Sequence, residues 1–129
     1  MTDPKIVCVS GFFDPLHSGH IVYLKNAREL GDKLVVILND NTQRKFPRVA
    51  SLEERRCVVE AIRWVSEVVV AIDTDECVAE TLRLIKPHIF AKGLSASQKE
   101  LDVCKEIGIE VVSNVGSQLH LQDLIAQSR

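Results

Sequence analysis

Between Lys5 and Val112 the chain alternates short apolar, β-branched runs with longer amphipathic stretches, and this alternation allows few architectures. The runs are Lys5–Val9, Leu34–Leu38, Glu67–Ile72, His88–Ala91 and Ile109–Val112. Each is short enough for a strand and continuously apolar in its centre, the pattern of strands covered on both faces. A helix from Ser18 to Leu30 follows the first run, with Gly31 placed as its C-terminal cap. Ser51-Leu52-Glu53-Glu54 has capping-box spacing and opens a helix to about Arg63, which carries Leu52, Val58, Val59 and Ile62 toward the core. Thr74 or Asp75 caps a helix to about Ile85, stopped by Pro87. Ser97 to Glu100 is a second capping box on a helix ending at Gly108, and Leu119–Ala126 reads as a closing helix. Five strands alternating with helices predict an α/β chain, a doubly wound five-stranded parallel sheet in three α/β/α layers with right-handed crossovers.

The turn out of the first strand, Ser10 to His20, concentrates glycines, histidines and caps. Gly11 lets the backbone turn or approach a ligand closely. Asp14 before Pro15 is an N-cap candidate with proline at the first helical position, and Ser18 is a second candidate cap one turn later. Free N–H groups and the positive end of a helix dipole make such a place an anion site. His17 and His20, three residues apart, would face the same bound phosphate, with Gly19 leaving space between them. A purely structural corner is a second reading of these residues, and zinc held by His17, His20 and Asp14 is a third. The glycine-rich dinucleotide fingerprint G-x-G-x-x-G is absent, as is the phosphate-loop pattern G-x-x-x-x-G-K-[ST]. After the second strand, Asn41–Ala50 is polar and basic, with Gln43-Arg44-Lys45 and Arg48, at the strand end where open α/β sheets bind ligands.

Charge and length set limits on partners. With 129 residues and a net charge of −2, one domain with a single core is expected, and there is no general attraction to nucleic acid or anionic membrane. Positive charge for binding phosphates must then be local. The apolar stretch near the N-terminus is too short for a secretory core and no run approaches a membrane span, which points to the cytoplasm. Cys8, Cys57, Cys77 and Cys104 are widely spaced and sit among apolar neighbours, so buried reduced thiols are expected.

The stretch Gly11-Phe12-Phe13-Asp14-Pro15-Leu16-His17-Ser18-Gly19-His20 resembles the G-x-F-D-x-x-H-x-G-H signature of the nucleotidyltransferase superfamily, the cytidylyltransferase-like proteins. Its H-x-G-H is also similar to the H-I-G-H of class I tRNA synthetases, a role that size and charge exclude. The resemblance continues through Gly31-Asp32-Lys33-Leu34-Val35-Val36, Leu52-Glu53-Glu54-Arg55 and Ile89-Phe90-Ala91-Lys92-Gly93, the glycerol-3-phosphate cytidylyltransferases and the heptose-phosphate adenylyltransferase domain being most alike. It implies a Rossmann-like domain in which a substrate phosphate attacks the α-phosphorus of ATP or CTP and pyrophosphate leaves. The expected acceptor is a small sugar or polyol phosphate. It further implies Mg²⁺ on the triphosphate without a metal ligand from the protein, and a homodimer, for which Trp64, Val65, Val68 and Val70 offer apolar surface.

Carried over residue by residue, the resemblance makes His17, His20 and Lys45 catalytic. Ser10, Gly11, Phe12, Phe13, Asp14, Gly19, Lys92 and Gly93 fall to the nucleotide, and Arg44, Arg63, Ser117 and His120 to the substrate. Two departures stand out. Leu94-Ser95-Ala96 follows Lys92-Gly93 where relatives carry Gly-Asp-Tyr or Asp-Asp-Trp. Before the last helix, relatives carry R-T-x-G-I-S-T-T, whereas this chain has Asn114 to Asp123, with Leu121 and Gln122 where the hydroxyls belong. Losing a preorganised donor to a triphosphate costs on the order of 10²-fold in rate, so a non-catalytic or weakly active nucleotide-binding protein of the same fold is the alternative.

Overall fold

The computed structural model describes residues 3–40, 43 and 49–116. Nine elements alternate: β1 (Ile6–Gly11), α1 (Ser18–Arg28), β2 (Lys33–Leu38), α2 (Leu52–Glu60), β3 (Glu67–Val70), α3 (Ala79–Ile85), β4 (Ile89–Ala91), α4 (Gln98–Ile107) and β5 (Glu110–Val112). The strands form one sheet in the order β3-β2-β1-β4-β5, parallel throughout. β1 pairs with β2 over its whole length, Ile6 opposite Lys33 and Gly11 opposite Leu38.

Alternation along the strands sends side chains to two cores. Val7, Val9, Leu34, Val36 and Leu38 pack on one face with Tyr23, Leu24 and Ala27 of α1 and Val59 of α2. Cys8, Val35, Ile37 and Phe90 pack on the other with Ala79 and Leu82 of α3 and Val103 and Cys104 of α4. The doubly wound, three-layer α/β/α arrangement expected from the alternation is therefore present. The chain winds outward in one direction from β1 to β2 and β3, and in the other to β4 and β5. The reversal opens a crevice at the carboxyl ends of β1 and β4, the place where such sheets bind ligands.

Several local expectations are corrected. Asp14 does not cap α1, because His17 does and the Asp14 carboxylate accepts instead from the Val49 and Ala50 N–H groups. α1 stops at Arg28 and α2 at Glu60, where the bonds tighten to three-residue spacing: Leu30 N–H to Ala27 C=O after α1, Ala61 N–H to Val58 C=O after α2. Gly31 is needed for proximity, since a Cβ there would stand 2.7 Å from Val7 Cγ2 and 2.8 Å from the Lys5 carbonyl oxygen. Val58 is 48% exposed, whereas Arg55 is 2% exposed and takes the place in the stripe that Val58 was expected to fill. Neither Thr74 nor Asp75 caps α3. Asp73 accepts from the Glu80 and Thr81 N–H groups, and β3 ends at Val70. Ser97 and Glu100 form the expected reciprocal box, and Gly108 closes α4 at φ 81°. All four cysteines are free, but Cys57 is exposed. Burial pushes the Cys8 thiol up to about 12 and the Cys104 thiol up to about 11. The expected closing helix, Leu119–Ala126, lies outside the described residues.

Candidate functional site

One wall of the crevice is the corner from Ser10 to His20. His17 is the N-cap of α1, in extended conformation, and its Nδ1 accepts from the Gly19 N–H at 3.1 Å. His20, at the third helical position, returns the favour: its Nδ1 accepts from the His17 N–H at 3.1 Å. Two imidazoles thus make a reciprocal capping box, a task more often given to a hydroxyl and a carboxylate. The rings stack with centroids 3.8 Å apart at 27°.

This arrangement fixes the tautomers. A ring nitrogen that accepts a hydrogen bond carries no proton, so in the neutral form both rings hold theirs on Nε2. Each histidine then offers one N–H donor at the start of α1, where the Gly19 and His20 N–H groups are already bonded to His17. Burial, and after it the neighbouring His17, lowers the His20 pKa to about 4, so near neutral pH this ring is uncharged. Gly19 serves the same geometry, because a Cβ there would stand 2.9 Å from His17 Cε1. The space the missing side chain leaves is occupied by the imidazole itself.

Between strand and helix, Phe12, Phe13 and Asp14 form a turn held from α2. Arg55 Nη1 donates to the Phe12 carbonyl and to the Asn39 carbonyl, both at 2.9 Å, and so ties the carboxyl ends of β1 and β2 together. Asp14 holds the start of α2 by its bonds to Val49 and Ala50, at 2.9 and 2.7 Å. Phe13 has φ 50° and a buried ring. On the side of β2 away from α1, Gln43 donates to the Asp75 and Cys77 carbonyls and accepts from the Asp40 N–H.

The opposite wall is Lys92 and Gly93 at the end of β4. Lys92 Nζ reaches across the crevice to Ser10 Oγ at 3.1 Å, with the buried Glu100 carboxylate 3.9 Å away. Glu100 accepts from the Val78 and Ser97 N–H groups. The backbone here is knit to the segment after β5: Val115 N–H to Lys92 C=O at 2.9 Å, Asn114 N–H to Leu94 C=O at 2.8 Å, Gly116 N–H to Gly93 C=O at 3.4 Å. A Cβ on Gly116 would stand 3.2 Å from Gly93 Cα. The buried Tyr23 hydroxyl of α1 donates to the Ala91 carbonyl, joining the two walls beneath the crevice, and burial pushes its pKa up.

Ser10, Gly11, Phe12, Phe13, Asp14, His17, Gly19, His20, Lys92 and Gly93 are therefore gathered at the carboxyl end of β1 and β4. Arg63 is not gathered with them. It stands exposed in the turn from α2 to β3, at the amino end of the sheet, with its guanidinium 5.7 Å from the Trp64 ring centroid. Arg44, Lys45, Ser117 and His120 lie outside the described residues. Arg55 and Tyr23 are the contributors that the site reading overlooked. A signal for the first was present, because Leu52, Arg55, Val59 and Ile62 follow helical spacing and place the arginine on an otherwise apolar stripe.

Among the described residues one group has metal-ligand proximity, Asp73, Asp75 and Cys77. Its carboxylates are committed: Asp73 accepts from Glu80 N–H, Thr81 N–H and the Thr81 hydroxyl, and Asp75 from Lys99 at 2.7 Å. Lys99 draws the Asp75 carboxyl below its ordinary pKa, while burial raises the Cys77 thiol. These groups brace the loop into α3. The zinc reading of His17, His20 and Asp14 loses its geometry, since each imidazole uses Nδ1 on backbone and Asp14 faces Val49 and Ala50.

Comparison with known proteins bears on the fold and the family. A solved lipopolysaccharide core biosynthesis protein from Thermoplasma volcanium has the same fold, with a TM-score of 0.75 over 85% of this chain and 95% of that one at 24% identity. The bifunctional protein HldE of Campylobacter concisus is 38% identical over 111 residues, 80% of this chain but 23% of its own length. The chain thus spans about a quarter of that relative. FAD synthase of Thermococcus sibiricus is 42% identical over 117 residues, covering 82% of this chain and 77% of the relative. FAD synthase of Pyrococcus abyssi is 43% identical over 91 residues, covering 67% of this chain and 61% of the relative. The family description Cytidylyltransferase-like matches residues 8–117, from the middle of β1 to just beyond the Gly93–Gly116 contact, and the chain belongs to that family.

Proposed function

We propose that this domain is a nucleotidyltransferase that moves a nucleoside monophosphate from ATP or CTP to a small phosphorylated substrate, a sugar or polyol phosphate, with release of pyrophosphate. The observation that carries the reading is the pair of tautomer-fixed imidazoles at the start of α1, in the crevice where the sheet reverses. Transfer at phosphorus asks for an in-line approach and stabilisation of charge on the phosphate oxygens, with little covalent work by the protein. In this reading His17 and His20 donate their Nε2–H groups to triphosphate oxygens, and Lys92, across the crevice, adds a cation that Ser10 orients. Lys45 and Arg44 would approach from the loop after β2.

Mg²⁺ enters as part of the substrate. The ion favours oxygen ligands and keeps several waters. Asp73, Asp75 and Cys77 do not suit it, with a thiol among them and both carboxylates engaged, so no step is assigned to a protein-held metal. FAD contains an adenylyl group, and the FAD synthase relatives therefore put ATP first among the triphosphates to try.

The test is a pyrophosphate-release screen crossing ATP, CTP, GTP and UTP with phosphorylated sugars and polyols. Turnover with one pair at about 1 to 10³ s⁻¹ supports the enzyme. Triphosphate binding without turnover would favour the alternative, a nucleotide-binding module, for which Leu121 and Gln122 in the hydroxyl positions are the motivating residues. In that event Leu121→Ser with Gln122→Thr should raise the rate. Failure of every triphosphate to bind would end both readings. A homodimer is part of the proposal and rests on the resemblance alone, since Val65 and Val68 already pack within the chain. A monomeric mass by light scattering would remove it.

A further inference from the structure

The resemblance groups Phe13 with the residues that touch nucleotide, yet its surroundings suit a different task. Its side chain is 4% exposed and belongs to the same core as Val9, Tyr23 and Leu24. Its backbone sits at φ 50°, the left-handed region that bulky L-residues avoid, and such a conformation persists only where neighbours over-determine it. Three neighbours do so. Arg55 holds the Phe12 carbonyl just before it, and Asp14 just after it holds Val49 and Ala50. Gly11 provides room, for a Cβ there would stand 3.0 Å from Phe13 Cε2.

What this effort places is the ring in a T-shaped contact with His20, centroids 5.0 Å apart at 72°. His17 covers another side of the same imidazole. We propose that Phe13 is a positioning residue: its buried ring fixes the orientation of His20 and keeps water from one face of that imidazole, so that the Nε2–H points into the crevice in a single direction. The bond from the His17 N–H to His20 Nδ1 supplies the second fixed point a planar ring needs. The depressed His20 pKa agrees with such cover, burial being its larger cause and His17 the titratable neighbour that adds to it. The catalytic half of this inference rests on the proposed nucleotidyl transfer, whereas the placement of His20 does not.

The test is an NMR titration of the His20 ring in the full chain, for the natural sequence, Phe13→Ala, Phe13→Leu and Gly11→Ala, with circular dichroism as a check of folding. Removing the ring should move the His20 midpoint upward from about 4 toward 6.5, by on the order of one pH unit, and broaden the range of ring orientations. Gly11→Ala, which drives a methyl against the Phe13 ring, should shift His20 in the same experiment. In the pyrophosphate assay, Phe13→Ala should lower kcat about tenfold with little change in KM for the triphosphate, and should add nothing in a His20→Ala background. An unmoved His20 titration in folded Phe13 variants overturns the proposal, as do losses that multiply in the double variant. If Phe13→Ala does not fold, Phe13→Leu and Gly11→Ala decide on the same titration. A chain that turns over no triphosphate would defeat the proposed function and still leave the titration to judge Phe13.

Discussion

The two walls of the crevice are built by different means. On the β1–α1 wall, geometry comes from side chains that bond to backbone: two imidazoles cap one helix, Asp14 binds two N–H groups, and Arg55 grips two carbonyls. On the β4–β5 wall it comes from backbone bonded to backbone, with Gly93 and Gly116 small enough to let two segments touch. Identity of side chain therefore matters most on the first wall, and absence of side chain on the second.

Substitutions should expose that contrast. The largest effect expected is on the first wall: His20→Ala should reduce pyrophosphate release by roughly 10²-fold or more with the fold retained, because the lost donor acts on developing phosphate charge. Near-natural turnover would break the comparison. On the second wall, Gly116→Ala sets a methyl 3.2 Å from Gly93 backbone and should destabilise by about 1–3 kcal/mol in denaturant melts.

A smaller effect separates the two duties of His17. His17→Ala removes an N-cap and should cost about 1 kcal/mol of stability together with activity. Asparagine is a good N-cap, so His17→Asn should restore the melting temperature while the rate stays low. Equal rates for the histidine and asparagine forms would make His17 a cap and nothing more.

The last effect is on pH. His20 binds its proton less readily in the folded chain, at about 4, than in the unfolded chain, at about 6.5. Between those values the unfolded chain holds more protons, so this contribution to stability is complete above pH 6.5 and fades as the pH falls toward 4. Melts of the natural chain and of His20→Ala across that window should converge at the acidic end. Parallel curves would show that His20 is not shifted.

Strand number, parallel pairing and the doubly wound order were legible because apolar runs and helix signals alternate without interruption, and Ser97–Glu100 with Gly108 marked one helix at both ends. The site was legible at its centre, where His17 and His20 share a turn. What escaped were features that depend on distant partners. Asp14 and Pro15 have the form of a cap, but two N–H groups 35 and 36 residues away compete for that carboxylate. Val58 suits a core as well as Val59 does, and only the phase of α2, set by a buried arginine, separates them. Gly31 resembles a cap in sequence because a close approach to Lys5 and Val7 leaves no local trace.

Arg55 carries a consequence for engineering. The eleven residues from Ser10 to His20 look like a portable cassette, yet the carbonyl of Phe12 is gripped by a guanidinium 43 residues downstream that grips the neighbouring strand as well. Grafting the cassette alone onto another sheet would import the histidines without the hand that holds them. A transplant that works must bring the second helix along, and the sequence distance between the two pieces is then free to vary, because the link between them is spatial.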